Sequence, residues 1–493
     1  MNDTTQQRTL WQRTLRWLLG GLLATLTLVI LWLGLRVYFW ATPEAPTPQR
    51  LALEERTEAA NVDTDGGRLL VGLLAPADAD PVAYGRCLLA AERSAWADAD
   101  LHQAAPPAST DEAAKQRLDR WQAMKAERTA ACLATGRTPS QPAQLAPDDR
   151  VRPGMSASQW TALASTPVAP PLRARFHELM KLERASIRVQ DNRANIPETF
   201  SALLTLNQME AARLRSRWAE GHHHATLAEW THAMHAWTTF AGSNLMNTSV
   251  AVNALTHHLL AIHSLGRMQA TTAAPEDWSA LLDLTRQSEG LIDALVPAIE
   301  NERMAFRALQ ADLVQWQATR PAWQRWLAQT LYDESATANL HASLLAESHL
   351  VAQQAALGET NLGPWEFKAW ERPCPGFPVL SRQSGSWCTL LGRNGAGFTM
   401  AWASVPSLQS HGTRIADLRN LAAATRLVME ARRQGVAPGE VETDWVQRAP
   451  DGLRDVFTNA PFELDIERKV LTIVIRAPNT VLGDAQSHYE LDI

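Results

Sequence analysis

The sequence predicts a mainly α-helical protein, with an N-terminal transmembrane helix, a periplasmic antiparallel helical array and a small C-terminal α+β region. Three observations carry that expectation. An uncharged apolar run near the N-terminus is long enough to cross a bilayer. Apolar residues recur at three- and four-residue spacing through most of the chain beyond that run. Strand-like alternation is confined to the last quarter of the chain.

The apolar run is "WLLGGLLATLTLVILWLGL", Trp17–Leu35. At 1.5 Å per residue it covers roughly 28 Å, close to the hydrocarbon thickness. In lipid its backbone groups must pair within the segment, so it must be helical. Arg8, Arg13 and Arg16 precede it, which places residues 1–16 in the cytoplasm and the bulk of the chain in the periplasm, with residues 17–40 anchored in a bacterial inner membrane. Arg36 lies beside Tyr38, Phe39 and Trp40, the residue types of a membrane–water interface. A cleaved signal peptide is the competing reading. The run is too long for a typical signal core, and Tyr38-Phe39-Trp40 lacks the small residues of a cleavage site. Residues 41–62, opening with "ATPEAPTPQ", read as a Pro-containing stalk.

Residues 63–135 read as a helical pair. One helix starts after Asp80, with Pro81 in its first turn, and a second covers Asp111–Ala134. Residues 136–155 are a polar, Pro-containing linker, and residues 156–360 a helical array whose short connections imply antiparallel neighbours. Pro297 is expected to kink or break a long helical pattern. No fixed-period self-similarity supports a helical repeat. In residues 361–493 one helix is expected over Thr413–Gln434, with Ile415, Leu418, Ala422, Thr425 and Met429 on one face and a stop at Gly435 and Pro438. "GFTMAWASV" (Gly397–Val405) reads as a strand. Phe462, Leu464 and Ile466 alternate, as do Leu471, Ile473 and Ile475, giving two short strands, with "HYELDI" as an edge strand.

The cysteines are Cys87, Cys132, Cys374 and Cys388, all beyond the apolar run. An even number in an oxidising compartment suggests two disulfides. Four cysteines allow three pairings, of which Cys87–Cys132 with Cys374–Cys388 is the most local. The first bridge would staple two helices and the second would close the loop "CPGFPVLSRQSGSWC", each contributing about 3–4 kcal/mol. No Cys-x-x-Cys spacing points to a metal.

The net charge is −6 and the charges are mixed, with no clustered Lys and Arg, so nucleic acid is not an expected partner. The 19 tryptophans read mainly as core, with an aromatic-ligand or carbohydrate site as the alternative. The most chemical-looking stretch is "GHHHATLAEWTHAMH", Gly221–His235. On a helical wheel Leu227, Trp230, Met234, Trp237 and Ala241 form the apolar stripe. His232 falls nearly opposite it, and His224 and His235 lie on its flank. In the next helix Val252, Leu255, Leu259 and Ile262 form the stripe, with His257 on the far side and His258 at the margin. His224, His232 and His235 are therefore the candidate metal ligands, set against a solvated helix face. No His pair here has the i, i+4 spacing favoured for zinc, and His177-Glu178 is followed by Lys181 where a zinc protease motif needs His. "LGRNGAGF" (Leu391–Phe398) reads as a tight turn rather than a nucleotide loop, since no βαβ unit surrounds it. Neither a P-loop nor a Gly-x-Ser-x-Gly elbow occurs, and no cofactor is expected.

Four segments, "LLVGLLAPADADPVAYGR" (Leu69–Arg86), "TLAEWTHAMHAWTTFAGSNLMNTSVAVNAL" (Thr226–Leu255), "LYDESATANLHA" (Leu331–Ala342) and "RNGAGFTMAWASVPSLQSHGTRIADLRNLAAATRL" (Arg393–Leu427), together resemble a group of proteobacterial single-pass inner-membrane proteins with a largely helical periplasmic domain. The resemblance implies one N-terminal anchor and a helical outer domain; it carries no activity and no site residues. The expected function is a non-catalytic envelope interaction or scaffold role, with an envelope protein as partner. The alternatives are an extracytoplasmic hydrolase whose residues converge only in the fold, and a His-based metal-binding module.

Overall fold

The computed structural model describes residues 3–42, 44–60, 63–98, 111–133, 137–141, 145–146, 149–182, 196–268, 273–318, 321–359, 373–374, 377–381, 394, 397, 400–401, 408–477 and 488–493. Its helices are, in order, α1 (Asp3–Ala41), α2 (Pro48–Ala60), α3 (Asp65–Val71), α4 (Pro81–Asp98), α5 (Asp111–Ala131), α6 (Ala157–Ala164) and α7 (Pro170–Met180). Next come α8 (Ile196–Ala219), α9 (His223–Ala241), α10 (Leu245–Gly266), α11 (Pro275–Thr285), α12 (Leu291–Ala318), α13 (Ala322–Leu331) and α14 (Glu334–Ala356). The rest comprises β1 (Pro373–Cys374), β2 (Phe377–Ser381), α15 (Leu408–Arg433), α16 (Thr443–Gln447), β3 (Glu463–Asp465), β4 (Val470–Val474) and β5 (His488–Asp492). The chain is mainly α, with a long apolar N-terminal helix and a small antiparallel sheet at the C-terminal end.

Two compact units form. The first comprises residues 1–51, 313–344 and 366–404. It holds α1, whose Trp17–Leu35 stretch has none of its residues buried. Within that stretch Thr25 and Thr27 return their hydroxyls to the carbonyls of Gly21 and Leu23, at 2.9 and 2.8 Å, so both polar side chains are satisfied by their own helix. The proline-containing segment expected as a stalk is instead folded. Thr47 caps α2, accepting the Arg50 N–H at 3.2 Å, and Pro48 takes the first helical position, where it needs no N–H partner. Upstream, the Glu44 N–H donates to Asp333 (3.3 Å) and the Thr47 N–H to Asn339 (3.0 Å). Asn339 returns its amide to Glu44 Oε1 at 3.1 Å and to the Ala45 carbonyl at 2.9 Å. Gly397, Met400 and Ala401 are helical, correcting the strand expected over Gly397–Val405. A Cβ at Gly397 would overlap Thr337 and Asn394, which bond each other at 2.8 Å, so the residue is small because a polar pair sits against it.

The second unit comprises residues 52–312, 345–365 and 405–493. Ion pairs Arg303–Glu54, Arg56–Glu300 and Arg307–Glu58 tie α2 to α12. Gly72 and Gly85 let α3 and α4 touch backbone to backbone; a Cβ on either would overlap the carbonyl of Pro81 or Arg68. The Cys87–Cys132 disulfide joins α4 to the residue just past α5, with Cα atoms 5.8 Å apart. Cys374 lies in β1, Cys388 lies outside the described residues, and no free cysteine occurs among those described. Arg175 of α7 is buried against the chain turn after α3, donating to the carbonyls of Ala75, Pro76 (2.6 Å) and Ala79 (3.2 Å).

At the centre α10 packs against α8, α9 and α15. The connections 220–222 and 242–244 are short, so α8, α9 and α10 fold back on one another. The expected stripes are largely internal: Trp230, Met234, Trp237 and Ala241 of α9, and Val252, Leu255, Leu259 and Ile262 of α10, are buried. So is the α15 stripe of Ile415, Leu418, Ala422, Thr425 and Met429. Pro297 lies inside α12; the interruption falls earlier, at the 3₁₀ turn Arg286–Gly290. The sheet has order β3-β4-β5, antiparallel throughout, and β5 is the expected edge strand. Leu471 and Ile473 of β4 point inward, and Asp417 of α15 accepts the N–H groups of Arg476 and Ala477 at 3.0 and 2.9 Å.

Candidate functional site

A buried polar network lies where α8, α9 and α10 meet. Asn207 of α8 is fully buried in a stripe with Leu203, Ala211 and Leu214. Its Oδ1 accepts the indole N–H of Trp237 at 2.8 Å and lies 2.9 Å from His258 Nε2. Its Nδ2 donates to the Ala254 carbonyl at 3.0 Å and approaches His257 Nδ1 at 3.3 Å. The Trp230 indole N–H donates to His258 Nδ1 at 3.2 Å. These contacts assign the hydrogens: His258 accepts at Nδ1, so its single proton sits on Nε2 and is given to Asn207. Both ring nitrogens of His258 and both ends of the Asn207 amide are then matched. Burial, with the neighbouring His257 second, pushes the His258 pKa down to about 3, and the ring is neutral.

A cavity of about 300 Å³ opens beside this network. Phe176, Met180 and Trp237 give it apolar walls, and His177, Lys181, Glu210, Glu229 and His232 line its polar part. The two carboxylates are already engaged. Arg213 bonds Glu210 at 2.8 and 2.6 Å and also reaches Glu229, which Arg217 pairs from the other side. Burial raises the Glu229 pKa, but the hydrogen bonds and charges of Arg213 and Arg217 outweigh it and hold the carboxyl below its usual range. Arg213 is correspondingly raised, mainly by its bond to Glu210.

The candidate metal ligands are placed differently. His224, His232 and His235 all lie on α9 at its solvent side, and among the described residues no group of three or more His, Cys, Asp or Glu side chains is arranged to hold a metal. His232 reaches the mouth of the cavity. His223, which sequence reasoning passes over, tilts against the Trp218 ring at 4.7 Å and pairs with Asp277 at 3.0 Å, tying the start of α9 to α11. His257 and His258 depart from the expected wheel, with His258 fully buried and His257 half-buried. The reason is that α10 is enclosed by three helices and has no single wet face.

A second, mixed-charge cleft of about 880 Å³ lies between α11, the C-terminal half of α15 and α16. Leu282, Leu427 and Leu453 line its apolar part, and Arg426 pairs with Glu289 across it at 2.8 Å.

No protein-family model matches the chain, and no curated protein or solved structure shows significant similarity to it. What fold and site define is a mainly α-helical protein whose central helices are joined by a buried, neutral Asn–His–Trp network.

Proposed function

We propose that this chain is a single-pass membrane protein of the bacterial inner membrane, with its N-terminus in the cytoplasm and its helical body in the periplasm, serving as a non-catalytic interaction or scaffold protein for an envelope partner. One observation carries the anchor: Trp17–Leu35 forms an uncharged helical stretch of 19 residues, none of it buried. An apolar helix that buries none of its residues is unfavourable in water and favourable in a bilayer. The Cys87–Cys132 bridge supports an oxidising compartment for the body. The interaction role is supported by how the polar groups are used. His258 and Asn207 bond each other and the Trp230 and Trp237 indoles, and Glu210 and Glu229 are paired by Arg213, so the polar groups along this cavity hold helices together.

The test combines topology with crosslinking. A chain tagged at both ends should stay whole in the membrane fraction after carbonate extraction, and in spheroplasts external protease should digest the body while sparing the N-terminal tag. Release of a shorter soluble form would identify residues 17–35 as a cleaved signal sequence and overturn the anchor. Photo-crosslinkers on exposed helix faces should recover one reproducible envelope protein. Turnover of a substrate by the purified chain, lost on changing a residue lining either cleft, would overturn the non-catalytic role.

A further inference from the structure

We propose that α13 is an interfacial helix, lying in the headgroup layer of the bilayer with Trp323 and Trp326 turned into it. This rests on the membrane-anchored reading of α1. The first observation is exposure: Trp323 is 65% and Trp326 42% accessible, two large rings at i, i+3 on one face of a ten-residue helix. In the sequence Leu327 continues the same three- and four-residue spacing, while Arg325 falls on the opposite side. At about 15 Å such a helix is too short to span a membrane, and its apolar face suits one leaflet's surface.

The second observation is position. Within the first unit α13 packs against α1. Its last residue is Leu331, and Asp333, two residues on, accepts the Glu44 N–H just beyond the end of α1 at Ala41. The C-terminal end of α13 therefore sits at the far end of α1, where Val37 and Tyr38 are also exposed. The helix that carries the Trp pair thus adjoins the exposed apolar surface of the proposed span, and Trp and Tyr concentrate at membrane–water interfaces because their rings are apolar at one end and polar at the other. That adjacency selects lipid over a protein partner as what covers the pair.

The test uses the full chain reconstituted into vesicles of phosphatidylcholine with phosphatidylglycerol. Spin labels are placed singly by Leu26→Cys, Trp323→Cys, Arg325→Cys and Trp326→Cys, and collision with oxygen, which enters lipid, is compared with collision with a water-soluble nickel complex. The expected result is a shift toward oxygen at 323 and 326 relative to 325, with the label at 26 shifted furthest. If 26 is in lipid while 323 and 326 meet nickel as freely as 325, the interfacial helix is refuted and the anchor stands. If 26 itself meets nickel, both fall. Labels at 323 and 326 shielded from both reagents would mean a protein covers the pair, which also refutes the proposal. A second measurement leaves the chain unsubstituted: a phosphatidylcholine carrying a photoactivatable group near its headgroup should label the peptide holding Trp323 and Trp326. Labelling of α1 without that peptide would overturn the proposal.

Discussion

Acid should weaken the protein through His258, by an amount the structure allows to be worked out. The ring accepts from Trp230 at Nδ1 and donates to Asn207 from Nε2. A second proton would set an N–H against the Trp230 N–H on a fully buried ring, and burial holds the folded pKa down at about 3. The unfolded value is about 6.5. Because the folded pKa is the lower of the two, this contribution is complete above about pH 6.5 and is lost as pH falls toward the folded value. At pH 5 the loss is about 2 kcal/mol, and at pH 4 about 3 kcal/mol. Two buried acids act in the opposite sense. Burial raises Glu302 to about 7 and Asp417 to about 6, so each favours folding as pH falls through those values. The bare pH profile therefore mixes signs, and a difference measurement is needed. Urea midpoints of the parent chain and His258→Gln, both in detergent, should lie further apart at pH 7.5 than at pH 5, the gap shrinking by about 2 kcal/mol. A gap that does not change with pH would refute the reasoning. Should the variant not fold, a histidine NMR titration of the parent serves instead, and a His258 midpoint near 6.5 would be decisive against it.

The same geometry sets three further expectations. Asn207→Ala leaves the buried N–H groups of Trp237 and His258 without acceptors and should cost about 2–6 kcal/mol, read as a lowered urea midpoint; an unchanged midpoint would contradict the network. Arg175→Ala strips donors from the carbonyls of Ala75, Pro76 and Ala79 and should cost about 3 kcal/mol, with Arg175→Lys recovering only part because an ammonium cannot reproduce the fork. Cys87→Ser removes a bridge across a sequence separation of 45 residues and should cost about 4 kcal/mol by loop-closure entropy, measured as a drop in Tm under non-reducing conditions.

Much of the fold is legible in the sequence because it depends on local periodicity. The α9 stripe of Trp230, Met234 and Trp237, the α15 stripe and the Leu471–Ile473 alternation each come from residues a few positions apart. Local patterns mislead where distant residues decide. The segment "ATPEAPTPQ" has a stalk's composition, yet Asp333 and Asn339, some 290 positions away, supply the partners that order it. A wheel sets His258 at the margin of a stripe, because it assumes one buried face and α10 has several. Asn207 escapes a search for catalytic or metal-binding motifs. Its signal is present all the same: a lone amide at i+4 from Leu203, with Ala211 and Leu214 beyond it, in an otherwise apolar stripe. A buried Asn in that setting requires partners, but only the packing of α9 and α10 reveals which ones.

The hydrogen bonds at Glu44 and Thr47 set a working distance. Residues 41–62, left free, could extend about 70 Å from the end of α1. The first fixed point is instead Glu44, three residues past Ala41 and within about 10 Å of it. The part of the molecule built around Asp333 and Asn339 is thereby denied the volume that a loose tether would sweep. Whatever that part meets must arrive close to the end of α1, because no free tether carries it further out.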